Sequence, residues 1–173
     1  GEDVVGVYMA EIIDYAERLT RAAVRELPDG EYSFEDWIDD DGIDVGVPIR
    51  LFVTVTKEGD GMTFDWTGSA EQVKGAINNT LSFTKAASYT AIRSILPDGI
   101  PNNEGVFRVI QVKAPPGTIA NAVLPAACAA RGLTGFRMVD CAFGALAMMV
   151  PDRVCAASDG GNTGVSIGGY DAD

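Results

Sequence analysis

The sequence predicts an α+β fold in which helices and short antiparallel strands are mixed along the chain. Two observations support this fold class. Helical spacing of apolar residues recurs toward both ends of the chain. In its second quarter, aliphatic residues occupy every other position, as in a strand. A composition of 47% hydrophobic and 22% charged residues suits a chain that builds a core. We therefore interpret residues 1–173 as a single segment, internal to a larger multidomain subunit.

The first half of the chain predicts one helix and three strands. Apolar residues recur every three or four positions through residues 3–27, with charges between them, which is typical of a helix. A short strand is expected from Glu31 to Trp37, and the alternation from Ile49 to Thr56 predicts a second strand. A turn at residues 58–61 then returns the chain as a third strand from Met62 to Trp66.

The second half predicts two more helices and two short strands. A helix is expected from Thr80 to Leu96, capped by that threonine or by the asparagine before it. Phe107 to Lys113 is predicted as a strand, and the small apolar residues from Leu133 to Val150 indicate a buried helix. A last short strand is expected from Val165 to Gly168.

The charge balance excludes two classes of partner. The chain carries 25 acidic and 13 basic residues, a net charge of −12. Such a surface repels nucleic acid and anionic lipid, so we expect no nucleic-acid or membrane partner. No apolar run approaches the roughly 20 residues of a bilayer span, and the N-terminus lacks a secretory pattern. With three widely spaced cysteines expected to be reduced, these features favour a cytoplasmic location.

The chain contains no histidine, which removes several kinds of active site. A Ser-His-Asp or Cys-His arrangement cannot be completed within it, nor can a zinc site that uses histidine. Gly164 to Gly168 fits the pattern G-x-S-x-G but lacks the helix and the histidine that a nucleophile elbow needs. The acidic loop from Asp39 to Asp44 fails the EF-hand spacing, and no phosphate-binding glycine loop occurs. We predict no metal site on this segment.

Three stretches combine polar residues with small and turn-forming ones. The first runs from Asp65-Trp66-Thr67-Gly68-Ser69 to Asn78, the second from Pro101 to Arg108, and the third from Ala114 to Arg131. A carboxylate at a strand end, such as Asp65, often borders a cleft.

Each of the polar side chains in these stretches has two interpretations. Arg108 and Arg131 can each clamp a carboxylate or phosphoryl group with two hydrogen bonds, and Asn78 and Asn103 can pair with an amide. The alternative is structural: asparagines that cap helices and loops, and arginines that hold acids together.

These stretches resemble, in order, those of the hydantoinase B/oxoprolinase family. The pattern D-x-T-G-S with a later Q, G and N matches residues 65–78, and P-x-N-x-G-x-F-R matches residues 101–108. A pattern a-P-x-G-T-i-x-N-x-x-x-P-A that ends in Arg matches residues 114–131. Arg137, Asp140 and the sequence P-D-R-V at residues 151–154 continue the likeness over nearly the whole chain.

The resemblance implies an enzyme that opens a cyclic amide at the expense of ATP. A hydantoinase A-type subunit or domain binds ATP and phosphorylates the amide oxygen, and the B-type part completes hydrolysis of a lactam such as 5-oxoproline or a hydantoin. The resemblance also implies a hetero-oligomer and a divalent metal whose ligands precede this segment. The isolated segment is therefore expected to be inactive.

The same chemistry suggests a role for each polar side chain. Asp65 and Asn78 are the expected catalytic residues, the first to position water or a substrate N–H. Asn103, Arg108 and Arg131 are the expected substrate-binding residues, the arginines for the phosphoryl group.

Two alternative functions stay open. In the first alternative, the segment is part of an acetone carboxylase-like enzyme, in which ATP use depends on a ketone and bicarbonate. In the second, it is a structural and subunit-contact segment, because the apolar stretch from Leu133 to Val150 suits an interface as well as a core.

Overall fold

The computed structural model describes the backbone of residues 2–161 and 167–170, and the side chains of residues 4–161 and 167–170. Four α-helices and a four-stranded sheet confirm the α+β fold class. In chain order the elements are α1 (Glu2–Arg25), β1 (Gly30–Ile38), β2 (Ile49–Glu58), β3 (Gly61–Asp65), α2 (Leu81–Arg93), α3 (Glu104–Phe107), β4 (Ile110–Lys113), α4 (Arg131–Met149) and a 3-10 turn (Pro151–Arg153).

The sheet has the strand order β1-β2-β3-β4 and is mixed. β1, β2 and β3 pair antiparallel, as the alternation and the turn at residues 58–61 predict. β4 differs from the expected antiparallel arrangement because it pairs parallel to β3, with Phe64 opposite Val112. A long crossover through α2 separates these two strands, and such a connection brings the second strand back in the same direction.

The core lies between one face of the sheet and the helices α2 and α4. Alternate residues of β2 point into it, and Leu51, Val53 and Val55 are fully buried. α4 packs across β1 and β2, while α2 packs against α4. Trp66, just after β3, is fully buried, and its indole Nε1 donates to Ser88 Oγ over 3.1 Å. The alternating apolar residues of β2 and the periodic apolar residues of the helices therefore pack into one core.

The structure corrects two expectations about the second half of the chain. The strand predicted from Phe107 begins at Ile110, because residues 104–107 form α3 and Phe107 stacks on Tyr89 with ring centroids 4.3 Å apart. Thr80 is the N-cap of α2, but its side chain makes no capping hydrogen bond. Asn79 instead points its Nδ2 at the sulfur of Met138.

The last predicted strand, from Val165 to Gly168, lies partly outside the described residues, as do Gly164, Val165 and Ser166 of the G-x-S-x-G pattern. The described part of it, Ile167 and Gly168, is exposed and belongs to no strand.

Candidate functional site

Two long loops lie at the same edge of the sheet, because β3 and β4 are parallel and their carboxyl ends coincide. Residues 66–80 follow β3 and residues 114–131 follow β4 and lead into α4. We call these two segments together the loop cluster. In open, mostly parallel α/β sheets, ligands bind outside the carboxyl ends of the strands, and β3 and β4 form the one parallel pair of the described sheet. The cluster contains the first and third polar stretches of the sequence.

Backbone hydrogen bonds join the two loops along most of their length. Gln72 N–H donates to Gly117 O over 2.9 Å, and Asn79 N–H donates to Ile119 O over 2.8 Å. Farther along, Ala130 N–H donates to Ala76 O over 2.8 Å. An isolated bridge between Glu71 and Thr118 adds to this pairing. The loops are therefore held as one body, although neither forms regular secondary structure.

Asn78 lies at the centre of the loop cluster and is fully buried. Its Oδ1 accepts from Val73 N–H over 2.8 Å. Its Nδ2 lies 2.8, 3.0 and 2.9 Å from the carbonyl oxygens of Val73, Gly75 and Ala127, so its two N–H groups are shared among three acceptors. The amide thus joins the two loops from within. Its expected catalytic role stays a prediction, and the contacts observed here are those of a side chain that positions the backbone.

A third loop, between β1 and β2, is attached to the same body through Asp41. Asp41 Oδ1 accepts from Ile43 N–H and Asp44 N–H, and Oδ2 accepts from Gly75 N–H over 2.8 Å. The hydrogen bonds from Asp44, Gly75 and Ile43 hold the pKa of the Asp41 carboxyl below its usual value. Gly75 is required here, since a Cβ would overlap the Asp41 backbone. The acidic loop thus uses this carboxylate to bind backbone amides.

Asp65 ends β3 at the border of the loop cluster, as its position in the sequence predicts. Its Oδ1 accepts from Thr67 N–H over 2.9 Å and shapes the turn that opens the first loop. The side chain is half-buried. In the sheet register it stands opposite Lys113 of β4 and Thr54 of β2. The carboxylate therefore borders the edge of the sheet at which the two loops begin.

Arg131 is the first residue of α4 and the last of the loop cluster. Its guanidinium lies 5.5 Å from the centroid of the Phe83 ring, and Nη1 donates to Cys128 O over 3.3 Å. In the described part of the chain, Arg131 takes part in no ion pair, whereas Arg108 pairs with two acids. An exposed guanidinium that is oriented by an aromatic ring and keeps N–H donors free is suited to bind an anion.

A cleft of about 330 Å³ opens beside this arginine. The residues lining it are Thr80, Ser82, Phe83, Ala86, Cys128 and Arg131. The volume is that of a small-molecule site, and the lining combines one cation with two hydroxyl groups. Sequence reasoning missed Ser82 and Phe83, because they lie on α2 and nothing in their local pattern distinguishes them from other helix-surface residues.

Asn103 and Arg108 lie away from this cleft, where α3 meets α1. Asn103 caps α3 through Gly105 N–H and donates to Ile12 O over 3.3 Å. Arg108 Nη1 pairs with Asp14 at 3.0 Å and with Glu17 at 3.2 Å. The structure therefore places Asn78 and Arg131 in the loop cluster, Asp65 at its border, and the other two residues on the α1–α3 contact. Their substrate-binding role stays a prediction.

The contact with Arg108 changes the pKa of one of its two acidic partners, Glu17. The pKa of Glu17 is held below its usual value first by the hydrogen bond from Arg21 and then by that from Arg108. An anionic substrate at Arg108 would have to displace these acids. Within the described residues the Arg131 guanidinium pairs with no acid, so an anion binds it without displacing one.

Neither the buried Cys141 nor a cluster of metal-ligand side chains provides a second site among the described residues. Burial raises the pKa of the Cys141 thiol to about 12, so it stays protonated and is not a nucleophile. Among residues 2–161 and 167–170, no group of three or more possible ligands is placed to hold a metal ion. No helix in the same part of the chain has both the length and the apolar character to cross a bilayer.

Comparisons with known proteins agree with this architecture. The sequence profile described as hydantoinase B/oxoprolinase matches residues 1–173. A candidate D-/L-hydantoinase component of Pseudomonas sp. (strain NS671) is 36% identical over 90% of this chain and 28% of its own length. The 5-oxoprolinase of Dictyostelium discoideum is 33% identical over 85% of this chain and 12% of its own length.

Two solved structures share the fold. The ATP-dependent caprolactamase from Pseudomonas jessenii superposes with a TM-score of 0.79 at 29% identity, covering 88% of this chain and 26% of that chain. A nucleotide-free acetone carboxylase superposes with a TM-score of 0.67 at 13% identity, covering 79% of this chain and 20% of that chain, a likeness that shows the fold alone. The 173 residues thus span less than a third of the length of these relatives. The chain belongs to the hydantoinase B/oxoprolinase family.

Proposed function

We propose that this chain is the part of an ATP-dependent cyclic amidase subunit that contacts the phosphorylated lactam through its loop cluster. Family membership and relatives named hydantoinase, 5-oxoprolinase and caprolactamase support a cyclic amide as the substrate class. The observation that carries the proposal is the guanidinium of Arg131 in a cleft of small-molecule size, where it makes no ion pair with any described residue. The partner is an A-type subunit or domain that binds ATP, in a hetero-oligomer located in the cytoplasm.

The chemistry explains why a cation is needed at this place. An amide carbonyl is unreactive because resonance shares the nitrogen lone pair with it. Phosphorylation of the oxygen by the partner ends that resonance and makes the carbon electrophilic. The transferred group is a dianion, and a guanidinium binds such a group with two parallel charge-assisted hydrogen bonds. Arg131 orients this group. The Thr80 and Ser82 hydroxyls hydrogen-bond to each other over 2.9 Å, which leaves one of their two protons as a further donor.

Asp65 and Asn78 have different roles in this proposal. The half-buried Asp65 carboxylate is an acceptor that holds a substrate N–H or a water molecule. Asn78 is a positioning residue, because it fixes the loop that leads to Arg131 through its bond to Ala127. The family resemblance implies a divalent metal, but the described residues provide no ligand group for it, so no step here is assigned to a metal.

The test uses the full-length subunit together with its ATP-binding partner. ATP hydrolysis is measured with a panel of lactams and hydantoins, and separately with ketones plus bicarbonate. We expect a cyclic amide to stimulate ATP hydrolysis and to be consumed in equal amount. Stimulation only by a ketone with bicarbonate would overturn the proposal in favour of a carboxylase.

Arg131 variants then test the site within the same assay. We expect Arg131→Ala to lower the rate of amide opening by about 100-fold, and Arg131→Lys to lose less because it keeps the charge. Arg153→Ala is the control, since Arg153 is exposed in the 3-10 turn after α4. Equal rates for wild type and Arg131→Ala would show that the site lies elsewhere.

A further inference from the structure

The N-terminal half of α1 extends away from the rest of the described structure. Along α1, Ala16 is the first buried side chain after residue 4, and α3 contacts the helix from Ile12 onward. The residues before Ile12 span about 15 Å of helix at 1.5 Å per residue. The buried residues of α1, such as Thr20 and Val24, all belong to its second half.

This projecting half is apolar, although it is exposed. The exposed large apolar side chains between residues 4 and 15 are Val4, Val5, Val7, Tyr8, Met9, Ile12 and Tyr15. Three of them are valines, which are poor helix formers because their branched side chains lose rotamer freedom in a helix. Intrinsic propensity therefore does little to hold this half helical. Packing of an apolar face is what stabilises most helices of this kind.

Five of the apolar residues of α1 form one continuous stripe. They are Val5, Tyr8, Ile12, Tyr15 and Leu19, at alternating spacings of three and four residues. We call them the α1 stripe. Val5 is 58% exposed, Tyr8 71% and Ile12 52%. That spacing is the seam of two helices that pack side by side with interlocking side chains.

The α1 stripe is distinct from the face that α1 already buries, except at its last residue, Leu19, which is half-buried and packs against the core. At about 100° per residue, the stripe lies roughly a quarter turn around the axis from the buried line of Ala16, Thr20, Val24 and Leu27. The helix can therefore pack on this core and on a second element at the same time. Of the two acids within residues 4–15, Asp14 already pairs with Arg108.

We propose that the α1 stripe binds an amphipathic helix from the part of the same polypeptide that lies outside residues 1–173. The length of the relatives supports this occupant, because the matched region is only 28% of the hydantoinase-type relative and 26% of the caprolactamase chain. The greater part of such a subunit is thus available in the same molecule. A partner subunit and a second copy of this chain are the two competing occupants.

Hydrogen–deuterium exchange of the full-length subunit, without its ATP-binding partner, tests this inference. We expect Ile12→Asp and Tyr8→Asp each to speed amide exchange in residues 4–15 by at least tenfold. In the same variants, we expect one peptide outside residues 1–173 to exchange its amide hydrogens faster as well. That peptide identifies the occupant. Val7→Asp is the matched control, since Val7 is equally exposed but lies off the stripe, and we expect it to change exchange less than twofold. Unchanged exchange in α4 verifies that the variants fold.

Three results would overturn the proposal. Protection of residues 4–15 that appears only after the partner subunit is added would assign the stripe to that subunit. Protection that disappears on dilution of the subunit into a monomeric state would assign it to a second copy. Fast exchange of residues 4–15 under every condition would show that the stripe has no occupant.

Discussion

Asn78 and Ala127 lie 49 residues apart in the sequence, and the Asn78 side-chain amide donates to the Ala127 carbonyl over 2.9 Å. This bond joins the loop that follows β3 to the loop that leads into α4. Arg131 lies four residues beyond Ala127, so the position of its guanidinium depends on this junction. The cleft beside Arg131 is therefore built by residues that do not line it.

Replacing Asn78 should destabilise the protein more than removing any single surface hydrogen bond. Asn78→Ala leaves Val73 N–H and the carbonyl oxygens of Gly75 and Ala127 without their partner. Gly75 is buried, Val73 half-buried and Ala127 exposed. Because an unsatisfied buried group costs about 1–3 kcal/mol, we expect a loss of roughly 3 kcal/mol in the free energy of unfolding, measured by chemical denaturation. The exposed Asn102→Ala control should stay within about 0.5 kcal/mol. A loss below about 1 kcal/mol for Asn78→Ala would contradict this account.

The buried indole of Trp66 makes Ser88 important for stability. Ser88→Ala removes the acceptor of Trp66 Nε1, and we expect a loss of about 2 kcal/mol. Ser94→Ala is a matched control. Both hydroxyls donate to the carbonyl four residues earlier, but Ser94 is exposed and holds no other group. Equal effects of the two substitutions in thermal or chemical unfolding would contradict the role assigned to the Trp66 contact.

Two glycines of α4 should respond in opposite directions to the same substitution. A Cβ at Gly135 would overlap the Phe83 ring, whereas a Cβ at Gly132 meets nothing within 4 Å. We expect Gly135→Ala to cost about 1–3 kcal/mol through overpacking and Gly132→Ala to stabilise by about 0.5 kcal/mol. Since Phe83 supports the Arg131 guanidinium, Gly135→Ala should also slow amide opening. Chemical denaturation with parallel rate measurements checks both effects.

The Asp41 carboxylate should make stability depend on pH in the acidic range. Backbone hydrogen bonds lower its pKa in the folded state below the usual value near 3.8. The stability that they contribute is therefore fully present above that value and is lost as the pH falls through the folded pKa. Asp41→Asn should be less stable than wild type at pH 7, and the difference should shrink below about pH 3.8. Asp39→Asn controls for removing an exposed charge from the same loop.

A constant difference between wild type and Asp41→Asn from pH 7 to pH 3 would contradict this assignment. It would mean that the substitution acts through packing against Gly75 rather than through the charge that accepts its N–H.

Local sequence patterns predicted most of the secondary structure. Helical spacing located α1 and α4, and alternation located β2, because both patterns arise from residues that are neighbours along the chain. The short helix α3 was predicted as the start of a strand, since residues 104–107 are too few to show a helical period. The parallel pairing of β3 with β4 follows from a crossover of 44 residues between Asp65 and Ile110, which no local pattern encodes.

The candidate site was predicted only in part for the same reason. The three polar stretches were identified, and Asp65 does end a strand. Which stretches meet depends on long-range pairing, and this pairing joins the first to the third and leaves Asn103 and Arg108 beside α1. The burial of Asn78 was also invisible in the sequence, because an asparagine that binds backbone is chemically the same as one that binds substrate.

A side-by-side comparison of Arg131→Ala and Arg108→Ala in the full-length enzyme with its partner tests the central claim most directly. The quantity to measure is kcat/KM for the opening of the cyclic amide, with folding verified by the free energy of unfolding. We expect Arg131→Ala to lower kcat/KM by about 100-fold and Arg108→Ala to lower it less than tenfold, because the guanidinium of Arg108 already pairs with Asp14 and Glu17. The reverse order, with Arg108→Ala nearly inactive and Arg131→Ala unchanged, would move the substrate site to the α1–α3 contact and contradict the account.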